Sequence, residues 1–244
     1  MNLRLTSHLF GRLLRGKRLL GMILLASVPG LVAWVSMAGQ SGAEATLIFE
    51  EILSTVPAAT LSIAILFLGT AVLRDERDGG TLPFLFITPV GRGAFAASAW
   101  LAAAGASVLV AIAGWLVAFL AAGLTLGAWG LAVPALAAYV AAALAYSAVF
   151  VPLGYLFSRS LIVGLAYVFV WEGILATVVS GLSASSVWRI ALSIYADLTE
   201  LPLAAREMLG SVQPGAGGGA VTVLILIALG VAVMSWALRT RDAV

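Results

Sequence analysis

The chain has 244 residues, of which 62% are hydrophobic and only 10% are charged. A soluble domain carries about 25% charged residues, so a water-soluble globular fold is excluded. The lack of cysteine excludes disulfides, thiolate nucleophiles and cysteine metal sites, and a single histidine excludes a site built on paired histidines.

The first element is basic. At 100° per residue, Arg4, His8, Arg12, Arg15 and Arg18 share an arc of about 120°, and Leu3, Leu5, Leu9, Phe10, Leu13 and Leu14 cover the other side. This predicts an amphipathic helix over residues 1–18 lying in the inner membrane interface, its cations near anionic headgroups. The alternative is a basic flank that merely obeys the positive-inside rule. The stretch "GRLLRGKR", Gly11 to Arg18, nearly matches a phosphate-binding loop. Arg18 stands where a Ser or Thr hydroxyl should hold magnesium, and no strand precedes it. If the protein uses ATP, another chain must bind it.

Six apolar runs follow, at about 19–38, 51–73, 94–126, 132–157, 161–180 and 219–238. A run of about 20 apolar residues crosses a ~30 Å hydrocarbon layer as a helix. The third is too long for one perpendicular crossing and must tilt or extend beyond the bilayer. The runs are continuous rather than alternating, which predicts an all-α membrane protein instead of a β-barrel. The first run lacks a small-residue cleavage site and reads as a retained span. Residues 1–244 read as a single transmembrane domain.

Charge sets the orientation. With the N-terminus in the cytoplasm, six spans return the C-terminus to the same side. Arg4, Arg12, Arg15, Lys17, Arg18, Arg74, Arg77, Arg92, Arg159, Arg239 and Arg241 are then cytoplasmic, and only Arg189 and Arg206 lie outside. The first outer loop is acidic, with Glu44 and, at its end, Glu50 and Glu51. The expected location is the inner (plasma) membrane.

The segment after the second span is "LRDERDGGTLPFLFITPVGR", Leu73 to Arg92. Arg74, Asp75, Glu76, Arg77 and Asp78 continue the helix for about a turn, where pairs such as Arg74 with Asp78 lie at helical spacing. Gly79 and Gly80 stop that helix. Thr81 caps a new one, Pro83 is tolerated in its first turn, and Thr88-Pro89 ends it. The short helix, Leu82 to Ile87, carries Leu82, Phe84, Leu85, Phe86 and Ile87. An apolar helix at a charged surface needs lipid, its own bundle or a partner's groove to cover it. The alternative is that the charges are only a solvated helix end.

This segment resembles the one after the second span in permease subunits of ABC transporters of the type-2 exporter class. That pattern is an acidic-basic cluster, Gly-Thr-Leu, an apolar run and Pro-x-x-Arg. Asp75, Glu76, Arg77, Gly80, Thr81, Leu82, Leu85, Pro89 and Arg92 match it, while Asp78-Gly79 and Pro83 depart from it. "YLFSRSLIVGLAYVFVWEGIL", Tyr155 to Leu175, also resembles the fourth-to-fifth-span region of some members. The resemblance implies a permease homodimer bound by two cytosolic ABC ATPase subunits. Leu82–Ile87 would be a coupling helix seated in a cleft of the ATPase, within the cytosolic segment 74–92. The interfacial helix would contact the same partner, and the charged cluster would hold orientation and register. No cofactor is expected in this chain, since ATP and Mg would sit on the ATPase. No nucleic-acid partner is implied.

Glu172 lies inside the fifth span, in "VFVWEGIL", with no cation near it in sequence. A carboxylate at that depth is expensive and points to a transport path or a protonatable switch. The alternative is a hydrogen bond to a neighbouring span's hydroxyl or backbone, or a position at the outer leaflet edge. Residues 181–218 form the sizeable outer region, with an expected helix at Val187–Leu198 that dips into the outer leaflet. A second short helix is expected at Thr199–Leu209, and a flexible glycine-rich lead-in at Pro214–Gly219.

Intramembrane proteolysis is disfavoured. His8 is cytosolic, no span holds a mid-membrane Asp, and no histidine pair exists to bind a metal. The reading is therefore an ATP-driven export subunit. The alternative class is a non-transport sensor or assembly factor of the same architecture. Cargo is not legible beyond a preference for amphipathic molecules.

Overall fold

The computed structural model describes residues 2–40, 42–80, 91–175, 185–199 and 214–240, with the backbone alone for Arg77 and Asp78. Among these residues the elements are helical, with no strand. They are α1 (Leu3–Leu13), α2 (Lys17–Ser36), α3 (Gly42–Asp78), α4 (Arg92–Leu126), α5 (Ala132–Leu156), α6 (Ser160–Ala166), α7 (Val187–Leu198) and α8 (Gly215–Thr240). A π-helical stretch, Tyr167–Leu175, continues α6.

Five of these helices, α2 to α5 and α8, are long and apolar enough to cross a membrane. The run expected at 161–180 begins as seven α-helical residues and nine π-helical ones. Its remainder lies outside the described residues. The α4 helix spans 35 residues, about 52 Å at 1.5 Å per residue, so the excess over one perpendicular crossing is real.

Burial sorts the helices. In α3 and α5, 67% of the most apolar window is buried, against 22% in α8. The α5 helix is packed by α3, α4, α6, α7 and α8, while α2 covers α3 and α4. Outward faces carry Leu24 and Val35 on α2, Leu116 and Leu124 on α4, and Leu224 and Leu229 on α8. So much exposed apolar surface suits hydrocarbon rather than water.

Small residues let these helices touch backbone to backbone. A Cβ placed on Gly114 of α4 would collide with the Ala26 carbonyl of α2, and one on Gly30 of α2 with the Ala118 amide. Where α3 meets α5, a Cβ on Gly154 would lie 2.7 Å from Thr70 Cα. Gly114→Ala is expected to force α2 and α4 apart at a cost of about 1–3 kcal/mol. Thermal unfolding of the purified protein checks this, and an unchanged midpoint would refute the close crossing.

Three boundaries differ from the sequence reading. The α1 helix ends at Leu13 instead of continuing to residue 18. Gly16, at φ 96°, turns the chain in a conformation that L side chains rarely adopt. Arg15 therefore lies in the turn, and Arg18 belongs to the first turn of α2. Second, the acidic loop expected before the second span is shorter than predicted, because α3 begins at Gly42 and already contains Glu44, Glu50 and Glu51. Ala45, Phe49 and Leu53 form a buried helical stripe that holds these extra turns to the bundle. Third, the glycine-rich lead-in is helical from Gly215. Asp197 accepts a hydrogen bond from the Ala216 N–H at 2.8 Å, and Gly219 packs closely on Ile194 of α7.

The predicted stop after the charged cluster is present. Asp78 ends α3 and Gly80 adopts φ 66°. Val187–Leu198 is helical as expected. The short helix expected at Leu82–Ile87, with Thr81 and Pro89, and the one at Thr199–Leu209 lie outside the described residues apart from Thr199.

Candidate functional site

The end of α3 is fastened to the N-terminal segment. Asn2 caps α1 by accepting from the Arg4 and Leu5 N–H groups, and its own N–H donates to Ser98 Oγ of α4 at 3.1 Å. Leu9 and Leu13 are buried in the core, and Phe10 reaches Gly105 of α4. These anchors leave His8 and Arg12 directed at the last turns of α3.

There the Arg12 guanidinium donates to Glu76, whose side chain is only 2% exposed. His8 Nε2 lies 3.8 Å from the same carboxylate. Arg18, at the start of α2, donates to Asp75 Oδ2 at 2.6 Å. Arg74 stands 3.9 Å from Asp75 Oδ1. A buried carboxylate without a cation is costly, and the charge-assisted bond from Arg12 offsets that cost. Two of the five charges in the cluster thus hold three elements of this chain together. His8, Arg12, Arg15, Arg18, Asp75 and Gly79 also line an open cleft of about 690 Å³.

Arg4 is exposed on α1, Arg15 is exposed in the turn, and Arg92 opens α4. Gly80 lies just past α3. Thr81, Leu82, Phe84, Leu85, Phe86 and Pro89 are outside the described residues, as is the side chain of Arg77. The suggested Arg74–Asp78 pair falls there too.

At the opposite end of the bundle, Glu172 is buried at 5% exposure. A π register joins residues five apart, and the Tyr167 hydroxyl donates to Glu172 Oε1 at 3.1 Å. Ser186 Oγ donates to Oε2 at 2.5 Å, and the Val187 N–H donates to Oε1 at 2.8 Å. Ser186 also caps α7 by accepting from the Arg189 N–H at 3.1 Å. The carboxylate therefore binds the N-terminus of α7, where helix N–H groups and dipole favour an anion. Glu172 also lines a cavity of about 350 Å³ with Ser54, Thr55, Phe169 and Arg189.

The α7 helix has further tethers. Trp188 Nε1 donates to the Ser54 carbonyl of α3 at 2.8 Å. The Tyr195 hydroxyl donates to Glu50 Oε1, also at 2.8 Å. Burial, and then the Glu50 carboxylate, push the Tyr195 hydroxyl above its ordinary range, so it remains a donor. Glu50 and Tyr195 were not candidates in the sequence. The signal was the Ala45–Phe49–Leu53 stripe, which puts residue 50 inside a helix.

Among the described residues no cluster of His, Asp or Glu has a metal-binding arrangement. No curated protein sequence matches the chain significantly. A family model described as ABC-2 family transporter protein matches residues 14–179. That interval is more than half of the chain and includes α2 to α5, the charged end of α3 and Glu172. The chain therefore belongs to the ABC-2 transporter family and is a membrane permease component of an ABC transporter.

Proposed function

We propose that this permease is the membrane subunit of an ATP-driven exporter. Two copies form the translocation path, each coupled to a cytosolic ATPase through residues 74–92, with ATP and Mg held by the ATPase. Both termini are cytoplasmic, and α1 lies along the inner membrane interface.

The observation that carries this reading is the fastening of α3 to α1 and α2, immediately before Gly79-Gly80. A push delivered to Leu82–Ile87 enters the bundle at Asp75 and Glu76. It then reaches α1 through Arg12 and α2 through Arg18. Asp75 and Glu76 therefore act within the permease, transmitting motion, rather than as the main contacts to the ATPase. The apolar residues Leu82, Phe84, Leu85 and Phe86 supply docking area, worth roughly 25 cal/mol per Å² buried. Glu172, lining the outer cavity, is a candidate wall of the path.

Leu85→Asp, coexpressed with the cognate ATPase, is expected to abolish co-purification while the permease keeps its thermal midpoint. Normal recovery of the ATPase with this variant would sink the coupling claim. In co-reconstituted vesicles an exporter moves cargo vectorially with ATP, whereas a sensor or assembly factor does not.

A further inference from the structure

We infer that the cleft between α1, the Arg15-Gly16 turn and the end of α3 binds the phosphate of an anionic phospholipid. Such binding requires neither the ATPase nor a particular orientation of the chain. Lys17–Ser36 is long and apolar enough to cross a membrane, so the start of α2 meets a headgroup layer whichever way the chain is inserted.

The cleft is lined by His8, Arg12, Arg15 and Arg18, with Asp75 and Gly79. Arg12 is taken by Glu76, and Arg18 by Asp75. Among the described residues Arg15 has no carboxylate partner, and it is exposed on the chain turn that forms the cleft rim. Each guanidinium has five N–H donors in a planar fork, so the paired arginines keep donors beyond those spent on carboxylates. Three arginines, Arg12, Arg15 and Arg18, line the cleft against the one lining carboxylate, Asp75, with Glu76 paired to Arg12. Forked, permanently charged donors match a phosphodiester better than a single point charge does.

A lipid is favoured over soluble phosphate by location. The first turn of α2 bears Lys17 and Arg18, and the helix beyond it exposes Leu20, Leu24 and Leu31. A headgroup at the cleft therefore has its acyl chains beside an apolar surface. Gly16, with its positive φ, permits the turn that places Arg15 over the cleft.

The test is native mass spectrometry of the purified full-length permease with phosphatidylglycerol and phosphatidylcholine at equal mole fraction. Selective retention of phosphatidylglycerol is expected, and Arg15→Gln should reduce it about fivefold. Arg4→Gln, on α1 but outside the cleft, should leave the preference unchanged. Equal retention of the two lipids would overturn the proposal. So would an equal loss in Arg4→Gln, which marks a diffuse basic flank. Displacement of the bound lipid by millimolar inorganic phosphate would reassign the cleft to a soluble anion and overturn the lipid assignment.

Discussion

Arg12→Ala is expected to release α1 from the end of α3 and to uncouple ATP hydrolysis from transport. Removing one partner of a buried ion pair typically costs about 3–5 kcal/mol. Arg12 is 37% exposed and His8 remains beside Glu76, so a loss of about 2 kcal/mol is expected here. Glu76→Gln should cost less, because the amide keeps an acceptor for Arg12. Combined with Arg12→Ala it should add little, since both variants remove the same bond. The swap of Arg12→Glu with Glu76→Arg should recover part of the transport lost in either single variant. Thermal unfolding and a transport-to-hydrolysis ratio in vesicles provide the two readouts. Strict additivity in the double-mutant cycle, with a normal ratio, would remove this ion pair from the mechanism.

Glu172→Leu is expected to be the most disruptive single change at the α7 end of the bundle. It strips the acceptor from three donors at once: the Tyr167 hydroxyl, the Ser186 hydroxyl and the Val187 N–H. Each buried donor left unsatisfied costs about 1–3 kcal/mol, so a total of at least ~3 kcal/mol is expected. Hydrogen exchange over Val187–Leu198 should rise sharply in this variant. Glu172→Gln keeps one oxygen, and the Ser186 hydroxyl can rotate to accept from the new amide, so its fold should survive. Transport then separates the two roles. A folded Gln variant with lost transport assigns a charge-dependent function to Glu172. Unaltered transport leaves it solely as the anchor of α7.

Much of the fold was legible because lipid imposes a simple demand on sequence. Long apolar runs predict crossing helices, and the boundaries of α2, α4, α5 and α8 fall within a few residues of expectation. The glycine stop after Asp78 was readable for a similarly local reason. What stayed hidden depends on distance along the chain. Arg12 meets Glu76 across 64 residues and Arg18 meets Asp75 across 57. Nothing beside either carboxylate names its partner, so the cluster read as local pairs and as contacts for the ATPase. Glu50 was hidden differently. Its charge suggested a loop end, while burial of Phe49 and Leu53 and the bond from Tyr195 carry it into the helix. The π register at Tyr167–Leu175 leaves no local sign. The Tyr167–Glu172 spacing becomes meaningful only once the register is known.

The length of α3 has a mechanical consequence. Its 37 residues form one helix that carries Pro57 in its interior, and Thr70 lies so close to α5 that a Cβ on Gly154 would meet its backbone. Glu76 lies roughly 9 Å to one side of that point along the axis, and Glu50 roughly 30 Å to the other. If α3 tilts about Thr70 with the turn at Pro57 held stiff, the unequal arms trade force for travel. A shift of about 1 Å where Arg12 holds Glu76 becomes about 3 Å where Glu50 holds Tyr195. Such a tilt would gear up a small displacement at Glu76 into a larger one at Glu50.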